Sequence, residues 1–226
     1  MGLLQDEIFS AGEGDHWFSR NRSSLNPSAD DRIVSSCKQY KITPSSILEV
    51  GAANGYRLEE FRRLGAARCV GLDPSQQALA DGKARFPKLE LHEGQASDLG
   101  LFEDQAFDLV ICSFVFHWID RRLLLSAVAE IDRVLRPGGF LVIADFDPDG
   151  FQKTRYHHRA DVELYTYKQS YREIFAASGI YSLVAHNTFD HSSPGWSIAT
   201  EAKDRAGLSI LQKDLTARYT ICEIKR

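Results

Sequence analysis

Several short stretches of this 226-residue chain hold residue types that could do chemistry. Glu49-Val50-Gly51-Ala52-Ala53-Asn54-Gly55 sets small residues at alternate positions behind a carboxylate. Glycine there lets the backbone turn tightly and approach a ligand with no Cβ in the way. Asp73 follows 22 residues after Gly51, where an acidic side chain accepts hydrogen bonds from ribose hydroxyls. Alone, Asp73-Pro74-Ser75 reads equally well as a helix cap. His117-Trp118 pairs a ring that titrates near neutrality with an aromatic wall, so His117 is a candidate base, or else a histidine that only packs. Tyr156-His157-His158-Arg159 suits an acidic or hydroxylated substrate, with a solvated loop as the alternative. Adjacent histidines point apart in an extended chain, which argues against a two-histidine metal site; no metal is expected. Asp15-His16-Trp17-Phe18-Ser19-Arg20-Asn21-Arg22 suits a lid in which Arg20 or Arg22 meets a carboxylate. Its alternative is an amphipathic helix docking through Trp17 and Phe18.

These stretches need elements to hold them. Ser46–Val50 reads as a strand ending at Gly51, and Asn54–Leu64 as a helix with Leu58, Phe61 and Leu64 on one face, stopped by Gly65. Arg68–Asp73 is the next strand, and Pro74 opens a helix that continues over Ser75–Arg85. Lys88–Glu93 and Phe107–Ser113 are further strands. Leu123–Leu135 is an amphipathic helix closed by Arg136-Pro137-Gly138-Gly139, and Phe140–Asp145 is a fifth strand. This alternation predicts right-handed parallel βαβ units in a sheet covered on both faces. Ligands then bind outside the carboxyl ends of the strands, near the switch point. Beyond Asp145 the pattern changes. Phe146–Tyr165 reads as a loop, Lys168–Ser178 as helix, and Tyr181–Asp190 and Gly207–Leu215 as strands joined by a polar hairpin connection over 191–205.

Composition narrows the partners. With 43% hydrophobic and 26% charged residues and a net charge of −4, nothing points to nucleic acid or an anionic membrane. No apolar run approaches the roughly 18 residues of a membrane span, and the N-terminus lacks a signal-peptide pattern. The four cysteines Cys37, Cys69, Cys112 and Cys222 form no C-x-x-C pair and suit a reducing, cytoplasmic setting. The expected partner is a small molecule, and the expected assembly a monomer or homodimer.

The turn itself separates two nucleotide ligands. A dinucleotide site calls for G-x-G-x-x-G with a pyrophosphate on the helix N-terminus. Here the third small residue arrives one position early, and Glu49 repels a pyrophosphate. A cationic sulfonium donor with an ammonium group tolerates that carboxylate. Ile47–Gly55 (ILEVGAANG), Val70–Ser75 (VGLDPS), Gly94–Leu99 (GQASDL), Phe107–Trp118 (FDLVICSFVFHW) and Val134–Asp145 (VLRPGGFLVIAD) together resemble, in order, the motifs of class I S-adenosylmethionine-dependent methyltransferases.

That resemblance implies a Rossmann-like three-layer α/β sandwich with a mostly parallel seven-stranded sheet whose last strand is antiparallel. It implies S-adenosyl-L-methionine as cofactor. Gly51, Ala53 and Gly55 would pass under its methionine part, and Glu49 would hold the ammonium directly or through water. Asp73 would take the ribose, Leu72 or Pro74 would flank the adenine, and Ala96 would meet the adenine edge. Ser113 and Phe114 would lie at the methionine end. Two departures are visible: Ala53 replaces a commoner glycine, and Gln95 stands where relatives place an acidic residue facing the adenine amino group. One domain is expected, with a helical lid over 1–40, a cofactor core over 46–145, and substrate-side loop and strands over 146–226. Trp17, Arg20, Arg22, Trp118, Tyr156, His157 and His158 are candidate substrate contacts. The stretch Phe9–Asn21 with Tyr156–His158 is also similar to bacterial methyltransferases of surface-sugar biosynthesis, which raises a sugar or sugar nucleotide as acceptor. The alternatives are a non-catalytic adenosyl-binding subunit and an NAD(P)-dependent oxidoreductase.

Overall fold

The computed structural model describes residues 5–159, 161–193, 195–199, 201–216 and 219; Cys222 lies outside them. The strands in chain order are β1 (Ser46–Val50), β2 (Arg68–Asp73), β3 (Glu90–Glu93), β4 (Phe107–Ser113), β5 (Leu135–Phe146), β6 (Gln152–Arg155), β7 (Tyr165–Lys168), β8 (Tyr181–Asp190) and β9 (Arg205–Lys213). Seven of them form one sheet in the order β3-β2-β1-β4-β5-β9-β8. β1 pairs in parallel with both β2 and β4, so the chain winds outward in opposite directions from the β1/β4 boundary. That reversal opens a crevice at the carboxyl ends of β1 and β4. The last strand, β9, runs antiparallel between β5 and β8, as the resemblance implies.

Side-chain alternation divides the sheet's two faces between two cores. On one face Ile47, Leu109, Ile111, Val142 and Ile210 pack against α3 (Arg32–Gln39) and α4 (Tyr56–Arg63) through Ile33, Leu58 and Phe61. On the other, Leu48, Val110, Cys112, Leu141 and Ile143 pack against α6 (Leu124–Val134) and α7 (Arg172–Ala176) through Ile131, Val134 and Phe175. This is the three-layer arrangement that strands apolar on both faces require. Cys37, Cys69 and Cys112 are buried, free thiols within it.

Three segments differ from the reading of the sequence. The span 146–165 is no simple loop: β6 and the start of β7 form a separate two-stranded antiparallel sheet there. The helix expected over Lys168–Ser178 shrinks to Arg172–Ala176, because Lys168 is taken up pairing with Gln152. Arg136–Gly139 does not stop before a strand but bulges within β5. Leu135 pairs with Phe107 and Phe140 with Leu109, and the surplus residues loop out through Gly138 at φ +79°.

N-terminal to the core, α1 (Gln5–Ile8), a π-helical turn over Phe9–Glu13 and α2 (Gly14–Asn21) follow one another, kinked at Gly12 (φ +143°). Among the described residues no helix is long and apolar enough to cross a membrane. No group of three or more His, Cys, Asp and Glu side chains that could hold a metal is found among them either.

Candidate active site

The turn after β1 is stitched to the end of β2. Gly51 and Ala52 N–H groups both donate to the Leu72 carbonyl (2.8 and 3.1 Å), and Ala53 N–H donates to Asp73 Oδ2 at 2.7 Å. Gly51 (φ +70°) has no room for a side chain, since a Cβ there would sit 2.4 Å from Val115 Cγ2. Ala53 carries its methyl in the same left-handed region (φ +50°), a strain of roughly 1–2 kcal/mol that the Asp73 bond helps hold. Gly55 (φ +77°) caps α4. The other Asp73 oxygen accepts from Ser75 N–H at 2.9 Å. Burial pushes the Asp73 carboxyl up to about 6, against the pull of those two hydrogen bonds. A carboxylate has about four acceptor positions, and the protein fills two of them.

Glu49, next to last in β1, is buried in a charged network. Arg57, from the first turn of α4, pairs with its Oε1, reaches both oxygens of Asp31 through Nε (3.0 and 3.1 Å) and donates to Tyr56 Oη at 2.8 Å. Asp31 in turn caps α3 by accepting from Ile33 and Val34 N–H. Glu49 Oε2 is buried without a partner. Burial lifts the Glu49 carboxyl to about 7, with Arg57 opposing the rise. A buried acceptor left open beside a glycine turn fits a ligand that brings a cation, such as the ammonium of S-adenosylmethionine.

The N-terminal segment crosses this crevice. Gln95 Nε2 donates to Ser10 Oγ (2.8 Å) and to the Asp6 carbonyl (3.3 Å), which leaves its carbonyl oxygen as an acceptor. Asp15 accepts from Ser75 Oγ (2.6 Å) and Gln77 N–H (3.1 Å) at the start of α5 (Gln76–Arg85). Phe18 and Trp17 pack with Leu25, Ala78 and Tyr56 on Ala53 itself. Leu72 and Ala96 belong to the buried core beside this crevice, and Pro74 lies half-buried between Asp73 and the α5 cap.

On the other side of Gly51, the end of β4 carries half-buried Ser113 and Phe114. Phe114 is in the left-handed region (φ +55°), with its N–H on the Ala144 carbonyl at 2.7 Å. His117 follows, 4% exposed. Its Nδ1 lies 2.8 Å from Asp145 Oδ1, and its backbone N–H donates to Oδ2 at 3.3 Å. Phe114, Trp118 and Phe146 surround the imidazole with ring centroids 6.1, 5.4 and 5.0 Å away. Phe9 and Tyr156 close on Trp118 at 5.1 and 4.4 Å.

The candidate substrate contacts divide. Trp17, Trp118 and Tyr156 are brought to the crevice. Arg20 is tied to Glu13 Oε1 (2.7 Å) and Tyr156 Oη (2.6 Å), and Tyr156 Oη itself donates to Glu13, which is fully buried. The carboxylate that Arg20 meets is therefore the chain's own. Arg22 instead meets Asp81 at 2.6 Å on the exposed side of α5. His157 and His158 do not point apart. The backbone turns there, and their rings lie 3.9 Å from each other.

Four participants are missing from the sequence reading: Asp145, Arg57, Asp31 and Glu13. Asp145 had a signal, because it ends a parallel strand at the ligand edge. The others sit in helices or caps with nothing local to mark them.

A methyltransferase-domain family profile matches residues 48–143. The malonyl-[acyl-carrier protein] O-methyltransferase 1 of Coxiella burnetii is 32% identical over 120 residues, covering 53% of this chain and 40% of that protein. The demethylmenaquinone methyltransferase of Chlorobaculum parvum is 33% identical over 100 residues, covering 44% of this chain and 40% of that protein. This chain thus spans less than half the length of either relative. The fold matches the crystal structure of Burkholderia thailandensis 1,6-didemethyltoxoflavin-N1-methyltransferase with TM-score 0.71 and 14% identity, over 95% of this chain and 92% of that one.

Proposed function

We propose, from a chain whose residues 48–143 match a methyltransferase-domain profile and whose fold matches that of a solved N1-methyltransferase, that it transfers a methyl group from S-adenosylmethionine to a small molecule. The observation that carries this reading is the pairing of an open buried oxygen on Glu49 with Asp73 across one glycine turn. Glu49 would meet the ammonium, Asp73 the ribose, and Gly51, Ala53 and Gly55 the methionine chain. Leu72, Pro74, Gln95 and Ala96 would border the adenine, and Ser113 and Phe114 the reacting end. The cofactor supplies an electrophilic methyl group. The chain's task is to hold a nucleophile in line with it.

A small acceptor is supported by relatives whose names specify demethylmenaquinone and 1,6-didemethyltoxoflavin, whereas malonyl-[acyl-carrier protein] is a small acyl group carried on a protein. A sugar or sugar nucleotide rests on the likeness of Phe9–Asn21 and Tyr156–His158 alone. It gains interest because those two stretches meet at Glu13 and Tyr156. Calorimetric titration with S-adenosylhomocysteine is expected to show one-to-one binding. Asp73→Ala is expected to weaken it by about 1–3 kcal/mol, since two charge-assisted bonds go. No heat of binding, or an unchanged affinity in the variant, would overturn the assignment.

A further inference from the structure

We propose that His117 is the general base of this site and Asp145 its positioning residue, so that the methyl group goes to a hydroxyl oxygen of a small molecule. This rests on the methyltransferase reading. His117 stands three residues past Phe114, at the carboxyl edge of the sheet. Asp145 Oδ1, 2.8 Å from Nδ1, accepts the imidazole proton there and leaves the Nε2 lone pair free to receive another. The carboxylate is itself held by backbone N–H groups, those of Phe146 at 2.8 Å and of His117 at 3.3 Å.

The second histidine–aspartate pair in the same half of the fold makes a useful contrast. His186 Nε2 meets Asp147 Oδ2 at 3.1 Å, but Arg172 occupies that same oxygen at 3.0 Å, and His186 Nδ1 faces Ser209 Oγ at 3.0 Å. Both ring nitrogens of His186 and its carboxylate are committed to structure. The bonds on Asp145, by contrast, come from the His117 ring and from backbone N–H groups. Burying a carboxylate against a neutral ring costs more than an apolar pair of the same shape. The arrangement is useful when the ring becomes an imidazolium.

The chemistry selects the acceptor. A carboxylate or thiolate is already ionised, and a neutral amine attacks with its own lone pair before it loses a proton. Among carboxylates, neutral amines and hydroxyls, the hydroxyl is the group that needs its proton removed as it attacks. His117 Nε2 takes that proton while the oxygen's electron pair forms the C–O bond. The C–S bond breaks, its pair stays on sulfur, and the sulfur becomes neutral. The positive charge ends on the imidazolium beside Asp145. Phe114, Trp118 and Phe146 exclude water from this exchange.

NMR of the isotope-labelled imidazole nitrogens in the S-adenosylhomocysteine complex tests the positioning directly. The expected result is a proton on Nδ1 and a bare Nε2 in the wild type, and an Nε2-protonated form appearing in Asp145→Asn. Radiolabelled methyl transfer is then measured against phenols, free sugars, sugar nucleotides, carboxylates and amines. Hydroxyl acceptors are expected to be methylated, and His117→Ala to cut kcat about 100- to 10,000-fold while S-adenosylhomocysteine affinity stays within about twofold. The proposal is overturned by an Nε2-protonated wild type, by transfer to carboxylates or amines with none to hydroxyls, by a protein that binds S-adenosylhomocysteine yet methylates no hydroxyl, or by a His117→Ala rate equal to wild type. Failure to bind S-adenosylhomocysteine at all sinks the methyltransferase reading instead.

Discussion

Arg57 shows how much one side chain can hold. It neutralises Glu49, fixes Asp31 at the α3 cap and meets Tyr56, all while itself buried. Arg57→Leu leaves the buried Glu49 carboxylate without its cation and Asp31 with only its helix-cap bonds, and is expected to cost about 3–5 kcal/mol in denaturant unfolding; a loss below 1 kcal/mol would show that water reaches the network. The raised carboxyls of Asp73 (about 6, from 3.8) and Glu49 (about 7, from 4.5) set a pH dependence. The folded chain takes up these protons more readily than the unfolded one. Their contribution is thus fully present below about pH 4 and is lost as pH rises through 6 and 7. The Tm of cofactor-free protein is expected to rise as pH is lowered from about 7.5 towards 5, and Glu49→Gln to flatten that slope; a Tm that falls over this window contradicts the burial argument. Glu49 and Asp73 were legible because a turn and a strand end lie at fixed spacing from each other. Arg57 was not, because its partner Asp31 comes from a different helix cap, 26 residues upstream.

At the level of elements, the parallel core could be read almost strand by strand from apolar runs and glycine stops. The small β6–β7 sheet could not. Gln152–Arg155 and Tyr165–Lys168 contain no aliphatic residue, and part of what holds them is contact of the Lys153 ammonium with the Tyr165 ring at 3.7 Å. No period in the sequence announces such a pairing. The composition of the N-terminal segment suggests a lid, but nothing in it announces how the segment is fastened. Asp15 docks it on the first turn of α5, where a carboxylate also favours the helix dipole. Asp15→Ala is expected to cost about 0.5–2 kcal/mol and to speed proteolytic cleavage within residues 5–25, with S-adenosylhomocysteine slowing that cleavage in the wild type. Cleavage at one rate in all three samples would mean that the fastening is not at Asp15.

Over the whole molecule, stability rests on a sheet covered on both faces. Ile111 of β4 is fully buried beside β1, and Ile111→Ala is expected to cost about 2–5 kcal/mol. Saturating ligand acts on the same balance. At a hundredfold excess over Kd, S-adenosylhomocysteine is expected to add about 2.7 kcal/mol and raise Tm by several degrees in differential scanning fluorimetry; an unmoved Tm would mean that it does not select the folded state. The segment over residues 5–21 touches Gln95 and Ser75 on one side of the crevice and Trp118, Asp120 and Tyr156 on the other. A single piece of chain therefore feels the occupants of both halves. By reciprocity, whatever factor one occupant adds to the other's affinity is returned in full. An occupant of one half that tightens this segment is therefore expected to lengthen the residence time of an occupant in the other, read as a slower dissociation rate in stopped-flow measurements.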